Sequence, residues 1–276
     1  MFSNNYSDFN TPSLRNYLKK IYLDSFFILN KKSILNSFAL KRIHFVYLHH
    51  IFDDEISSFI RFLNFLESFD IPIISFNDAV LSLQDKNFEY GGICFSFDDG
   101  FKNCLSAASI LNERGYTATF FINGLMLNNS SLSTKYHFCN NVLNCSPVDF
   151  LNCDDIDTLL NSGNSIGNHT YYHNRVSEIP HDVFLDDFSR NHDFLSSTFG
   201  PVIDFAWGYG TSEDITSYAI SAVKDLGYRS CSSAVRGVYL PTSHVDIFNI
   251  YRDHYVAGWN FNHSLTLLSR SILNEL

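Results

Sequence analysis

No stretch of this sequence approaches the roughly 20 apolar residues that a membrane-spanning helix requires, so no integral membrane segment is expected. The opening residues, Met1-Phe2-Ser3-Asn4-Asn5-Tyr6-Ser7-Asp8, lack the basic start, apolar core and small-residue cleavage site of a secretory signal. The six cysteines form no C-x-x-C pair. They are read as reduced thiols that mostly pack, and a cytoplasmic protein is the expectation. Positive charge is scarce, with 19 Lys and Arg against 29 Asp and Glu for a net −10, which argues against wrapping nucleic acid. Internal repeats and a second-domain boundary are also missing. What remains is a 276-residue chain, 45% hydrophobic, long enough for one large α/β domain with a substantial core.

The charge is unevenly spread. Residues 1–42 carry seven cations (Arg15, Lys19, Lys20, Lys31, Lys32, Lys41, Arg42) against Asp8 and Asp24, a net +5. Leu14, Tyr17, Leu18, Ile21 and Tyr22 follow helical spacing, predicting an amphipathic helix over 12–29. Its basic face suits either a solvated lysine surface on a docked helix or contact with an anionic membrane. This stretch, 1–42, is read as an N-terminal helical extension to a domain over 43–276.

From residue 43 strands and helices alternate. Strands are predicted at 43–48, 72–76, 92–97, 116–122, 164–168, 202–206, 228–233 and 247–252. The helices between them fall at 55–69, 77–83, 101–114, 154–163, 178–198 and 213–226. Residues 123–153 read as a long functional loop. Such alternation means a parallel sheet, and seven or eight repeats predict closure into a barrel.

Asp-Asp occurs four times, at 53–54, 98–99, 154–155 and 186–187. Asp154-Asp155 precedes a helical pattern and reads as a cap, and Asp186-Asp187 as a solvated helix face. Only Asp98-Asp99 ends a buried apolar strand and precedes a glycine, where α/β proteins build active sites. His169 and His173 are four apart, a spacing that puts both imidazoles on one side of a helical turn. One carboxylate with two imidazoles makes an open three-ligand metal site, and the second carboxylate is left over as a base. The cluster His49, His50, Asp53 and Asp54 is a rival metal site.

Ser96-Phe97-Asp98-Asp99-Gly100 with His169-Thr170-Tyr171-Tyr172-His173 resembles the first two motifs of the polysaccharide deacetylases, a carbohydrate esterase group. The resemblance extends over about 43–260. It includes Thr117–Ile122 and the run from Gly163 into His169. It implies a deformed (β/α) barrel of about seven parallel strands and one divalent metal ion, zinc first, with cobalt, nickel or iron as alternatives. By position, Asp98 is the expected base and Asp99, His169 and His173 the metal ligands. Phe205-Ala206-Trp207-Gly208-Tyr209-Gly210 resembles a third motif of Phe-Ala-Tyr-Pro type, with Gly208 in place of proline. The Tyr209 N–H becomes the candidate oxyanion donor, with Trp207 or Tyr209 as a sugar-stacking ring. Nothing near the C-terminus matches the usual general-acid motif except a poorly matching His263. The subgroup with an N-terminal-strand histidine favours His49 over His50, because His49-x-Ile51 keeps its register. Arg252-Asp253 resembles the fourth motif; either Arg252 pairs with Asp98 or Asp253 orients a histidine.

The function so implied is metal-dependent removal of an N-acetyl or similar acyl group from an amino sugar. A deacylase of a non-sugar amide and a non-catalytic sugar-binding scaffold are the alternatives. The expected partner is an N-acylated carbohydrate, with no nucleic acid and at most a weak membrane-surface contact through the basic helix.

Overall fold

The computed structural model describes residues 2–9, 14–86, 88, 91–127 and 131–275, with 14–16 as backbone alone. Seven short strands form one parallel sheet. They are β1 (His44–Leu48), β2 (Ile93–Phe97), β3 (Ala118–Ile122), β4 (Ser165–Asn168), β5 (Asp204–Ala206), β6 (Ser230–Ser232) and β7 (Arg252–His254). Their order is β6-β5-β4-β3-β2-β1-β7. A parallel bridge between Ser232 and Ile250, just ahead of β7, nearly closes the sheet into a deformed (β/α) barrel.

Alternation along the strands separates two apolar layers. Val46, Leu48, Ile93, Phe95, Phe97, Phe120, Ile122 and Phe205 face outward into the large core under the helices. Phe45, Cys94, Phe121, Ala206 and Ile250 belong to a smaller cluster inside the barrel. Continuing each inward series one step past the strand end delivers Asp98 after Cys94 and Ser96, and His49 after Phe45 and Tyr47. The rim of the barrel therefore receives polar groups from residues in step with the barrel filling. Gly167 belongs to the same packing: a Cβ there would lie 2.3 Å from the Phe121 ring and 3.0 Å from the Asp204 carbonyl.

The helices are α1 (Tyr6–Phe9), α2 (Leu14–Phe38), α3 (Ile56–Ser68), α4 (Phe76–Gln84), α5 (Cys104–Glu113), α6 (Gly124–Leu127), α7 (Leu132–His137), α8 (Cys153–Asn161), α9 (His181–Phe199), α10 (Ser217–Asp225) and α11 (Phe261–Asn274). The expected start at residue 12 lies outside the described residues. The first long helix runs on to Phe38, well past 29, because Phe27, Ile34 and Phe38 enter the main core against α11. Burying each such side chain contributes about 1.5–3 kcal/mol, enough to dock the helix.

Three expectations are corrected. The segment 72–76 makes only an isolated bridge, Ile73 to Ile93, since Ser75 caps α4 with its side chain. The insertion 123–153 is not a plain loop: it carries α6, α7 and a π-turn at Phe138–Val142. Asn152, not Asp154, caps α8, with Asp155 closing a capping box.

Candidate active site

A cavity of about 440 Å³ opens at the C-terminal ends of the strands, lined among others by His49, Asp98, Asp99, His169, His173 and Tyr209. The sequence places these groups in four separate segments; the barrel rim brings them together.

Asp98 is buried against Arg252, which donates two parallel hydrogen bonds, Nη1 to Oδ1 at 2.8 Å and Nη2 to Oδ2 at 2.7 Å. The guanidinium is itself held by Ser96 Oγ at 3.1 Å and the Ser233 carbonyl at 2.9 Å, and lies over the Tyr47 ring. Burial pushes the Asp98 carboxyl up, but Arg252, His169 and His49 together hold it below the usual carboxylate range. It is thus an anion at neutral pH.

Asp99 adopts the left-handed backbone, φ 69°, and Gly100 follows at φ 68°. This turn swings the second carboxylate away from its neighbour and toward the histidines. Asp99 Oδ1 lies 3.4 Å from His169 Nε2 and 3.3 Å from His173 Nε2. A tetrahedral ion with ligand distances of about 2.0–2.2 Å separates its donors by about 3.4 Å, so the spacing fits a bound divalent cation. The proton arrangement agrees. His169 Nδ1 donates to the Ala206 carbonyl at 2.8 Å, which turns Nε2 toward Asp99 as a ligand would be turned. Asp99 Oδ1 is buried without a hydrogen-bond partner, an unfavourable state for a carboxylate oxygen unless a cation joins it. Among the described residues this is the one group of three or more His, Cys, Asp or Glu side chains that could hold a metal ion.

The histidine spacing works, but not through a helix. Residues 169–173 form bends, with Thr170 at φ 61° and His173 at φ 57°. Left-handed non-glycine residues cost about 1–3 kcal/mol and persist only where their surroundings fix them. Asp187 does much of that fixing: its Oδ1 accepts from the Tyr171 and Tyr172 amides, each at 2.7 Å, and Oδ2 from Asn174 at 2.9 Å. Expected as a solvated helix residue, Asp187 is buried. The signal was present, since Phe184, Phe188, Asn191 and Leu195 mark the core face of α9 on which it lies.

His49 and His50 both border the cavity, but the two side chains take different partners. His49 Nε2 stands 3.9 Å from Asp99 Oδ2 and its side chain is 31% exposed. Its Nδ1 lies 3.1 Å from His254 Nε2. His254 is a site residue that sequence reading missed, although it falls two positions after Arg252 on the same face of β7. Burial and the nearby His49, His50, Arg236 and Arg252 push its imidazole well down. His254 is therefore neutral and can accept from His49 Nδ1–H, leaving His49 Nε2 toward the cavity. His50 is instead clamped on Glu55 at 2.8 Å. His263 pairs with Asp24 at 2.7 Å beside α2. The rival His49-His50-Asp53-Asp54 cluster does not assemble among the described residues; Asp54 instead accepts the Tyr6 amide.

Both readings of the fourth motif occur, on opposite faces of β7. Arg252 takes Asp98, while Asp253 accepts from His44 at 2.8 Å, Ser271 at 2.8 Å and Arg236 at 3.0 Å. His44 lies behind the sheet, not in the cavity. Trp207 shares the outward parity of Phe205 and is buried against it at 4.8 Å, so it offers no face for stacking. Tyr209 is exposed by 36%, and its hydroxyl donates to the Val142 carbonyl of the insertion at 2.7 Å.

The polysaccharide deacetylase family profile matches residues 85–231, just over half of the chain. This protein belongs to the polysaccharide deacetylase family. No significant match to a curated protein sequence was found. Solved structures supply the likeness of fold. A Streptococcus pyogenes deacetylase solved with acetate aligns at a TM-score of 0.65 and 14% identity, over 82% of this chain and 98% of that one. A de-N-acetylase from Aggregatibacter actinomycetemcomitans gives 0.63 at 18% identity, over 85% of this chain and 100% of its own. The deacetylase domain of a Bordetella bronchiseptica protein gives 0.62 at 14% identity, over 78% and 96%. Membership in this family supports carbohydrate deacetylation, and the structure adds a buried Asp-His-His group able to bind a metal.

Proposed function

We propose that this deacetylase removes the N-acetyl group, or a similar small acyl group, from an amino sugar in a saccharide or glycan precursor. The observation that carries this reading is the pairing of Asp98, anionic and fixed by Arg252, with a three-donor metal group one residue away. A scaffold that only binds sugar has no use for a fixed base beside a metal, and a non-sugar amide gains no support from the family.

Asp99, His169 and His173 would hold one divalent ion, zinc first by donor type. Such an ion, when bound, polarises the amide carbonyl and lowers the pKa of water to about 7. Asp98 accepts a proton from the attacking water, and Arg252 keeps both of its oxygens in place. Water oxygen adds to the carbonyl carbon, and the backbone N–H of Tyr209 donates to the oxyanion that develops, a contribution of about 3–4 kcal/mol for one well-placed donor. His49 Nε2 protonates the amine nitrogen as the C–N bond breaks, releasing carboxylate and free amine. Burial holds the His49 imidazole below its ordinary value, and the two aspartates oppose this only in part, so its imidazolium gives up a proton readily as the amine leaves.

His169→Ala and His173→Ala should each lose bound metal in elemental analysis; full retention in both would remove the ion from this account. His49→Ala should lower kcat by on the order of 10²–10⁴ with metal content unchanged. The test is acetate release from a panel of N-acetylated oligosaccharides and sugar nucleotides. Unaltered turnover in His49→Ala would move the general acid elsewhere, and no acetate from any sugar would overturn the substrate class.

A further inference from the structure

No helix among the described residues is long and apolar enough to cross a membrane, yet α2 has an exposed apolar face. Leu29 is 83% exposed, Ile28 73%, Tyr17 61% and Leu18 58%, with Ile21 and Tyr22 beside them. Among the described residues these six are nearly half of the thirteen exposed large apolar side chains in the protein. That concentration on one helix distinguishes them from the scattered surface residues that need no explanation. At 100° per residue they fall within an arc of about 140°. The opposite side of the same helix, Leu23, Phe27, Ile34 and Phe38, is buried. Packing therefore explains one face of α2 and leaves most of the other open to solvent, although Tyr22 accepts a hydrogen bond from Arg270.

Charge identifies the partner. Lys20 and Lys31 border one edge of the exposed stripe, Lys19 lies beyond the other, and Lys32 falls within it, all four exposed. The one acidic residue of the helix, Asp24, is taken up by His263. An apolar helix face set among lysines matches the interface of an anionic bilayer, where rings and aliphatic chains enter the headgroup boundary and ammonium groups meet phosphates. A second copy is a poorer occupant, because two such faces would bring their lysines together. The remainder of the chain is strongly acidic, so an anionic surface attracts this helix and repels the other faces.

We infer that the exposed face of α2 docks the protein on anionic lipid membranes. The helix lies one cavity away from the active site. Lys19, Lys20 and Leu23 line a second cavity of about 460 Å³ together with Tyr6 and Trp259, and Tyr6 in turn lines the catalytic cavity. Docking would then bring the site to substrate carried at the membrane; that last step rests on the deacetylase reading, whereas lipid binding does not.

The test is co-sedimentation of the full chain with vesicles of phosphatidylcholine alone and of equimolar phosphatidylcholine and phosphatidylglycerol. Binding is expected only to the anionic vesicles and should weaken with salt. Lys31→Gln/Lys32→Gln should reduce partitioning about thirtyfold, since each lysine near the surface is worth about a factor of five. Ile28→Ser/Leu29→Ser should reduce it at least about tenfold. Both pairs are exposed, so unchanged melting curves will show that the fold is intact. The inference is overturned if wild type ignores anionic vesicles or if neither double variant weakens binding. It is equally overturned if sedimentation velocity shows a dimer that Ile28→Ser/Leu29→Ser dissolves, because a second copy then covers the face. Binding without acetate release from any sugar would leave the docking intact and remove only the proposed function.

Discussion

Asp98→Asn is expected to lower kcat/KM by on the order of 10²–10⁴ while the protein keeps its metal. The two acids of the motif are adjacent but differently engaged. Both oxygens of Asp98 are taken by Arg252 at 2.7–2.8 Å, whereas Asp99 Oδ1 faces the two imidazoles. An asparagine at 98 cannot accept the water's proton, and at 99 it supplies a weak, neutral ligand. Asp99→Asn should therefore lose metal first and activity as a consequence. Elemental analysis of the two variants beside their kinetics separates the roles, and equal metal loss in both would contradict them.

Arg252→Met should destabilise the fold by about 3–5 kcal/mol, the cost of leaving a buried carboxylate without its partner. Arg252 is fully buried and donates to both oxygens of Asp98. The pH dependence has a definite sign. In the native protein Asp98 has a depressed pKa, so its stabilisation is present above the unfolded value of about 3.9 and is lost as pH falls through the folded value. Without Arg252, only His169 and His49 still oppose burial, and the folded pKa of Asp98 rises relative to wild type. The variant's deficit against wild type should therefore be largest near neutral pH and narrow toward pH 4. Urea denaturation at the two pH values measures this. Arg252→Met/Asp98→Asn, which removes both charges, should recover part of the loss at neutral pH. A deficit independent of pH and unrelieved in the double variant would mean that Arg252 matters only as packing volume.

Much of the site was legible because it is written locally. Asp98-Asp99-Gly100 ends an apolar strand, and strand alternation alone sends Asp98 inward with Cys94 and Ser96. Strand–helix alternation predicted a parallel sheet closing into a barrel, with eight strand segments expected where seven strands form, since 72–76 makes only a bridge. His254, in step with Arg252, was missed because the last strand was expected at 247–252, whereas β7 spans Arg252–His254.

Other features could not be read from any local pattern. The spacing of His169 and His173 is correct for convergence, but a helix was expected where the chain bends, because the loop is held from across the fold by Asp187 and Asn123. Asp187 looks like any acid on a helix until α9 is packed on the barrel and its carboxylate faces bare amides. Trp207 and Tyr209 sit two apart with the same aromatic character, and only the outward parity of β5 and the turn at Gly208 bury one and expose the other. The amino-acid sequence determined which groups can do chemistry and on which face of each strand they start, since side-chain period is a local property of the backbone. Tertiary structure decided which of them meet, because the distances of 3.3–3.4 Å among Asp99, His169 and His173 depend on closing a barrel whose strands lie about seventy residues apart in the chain.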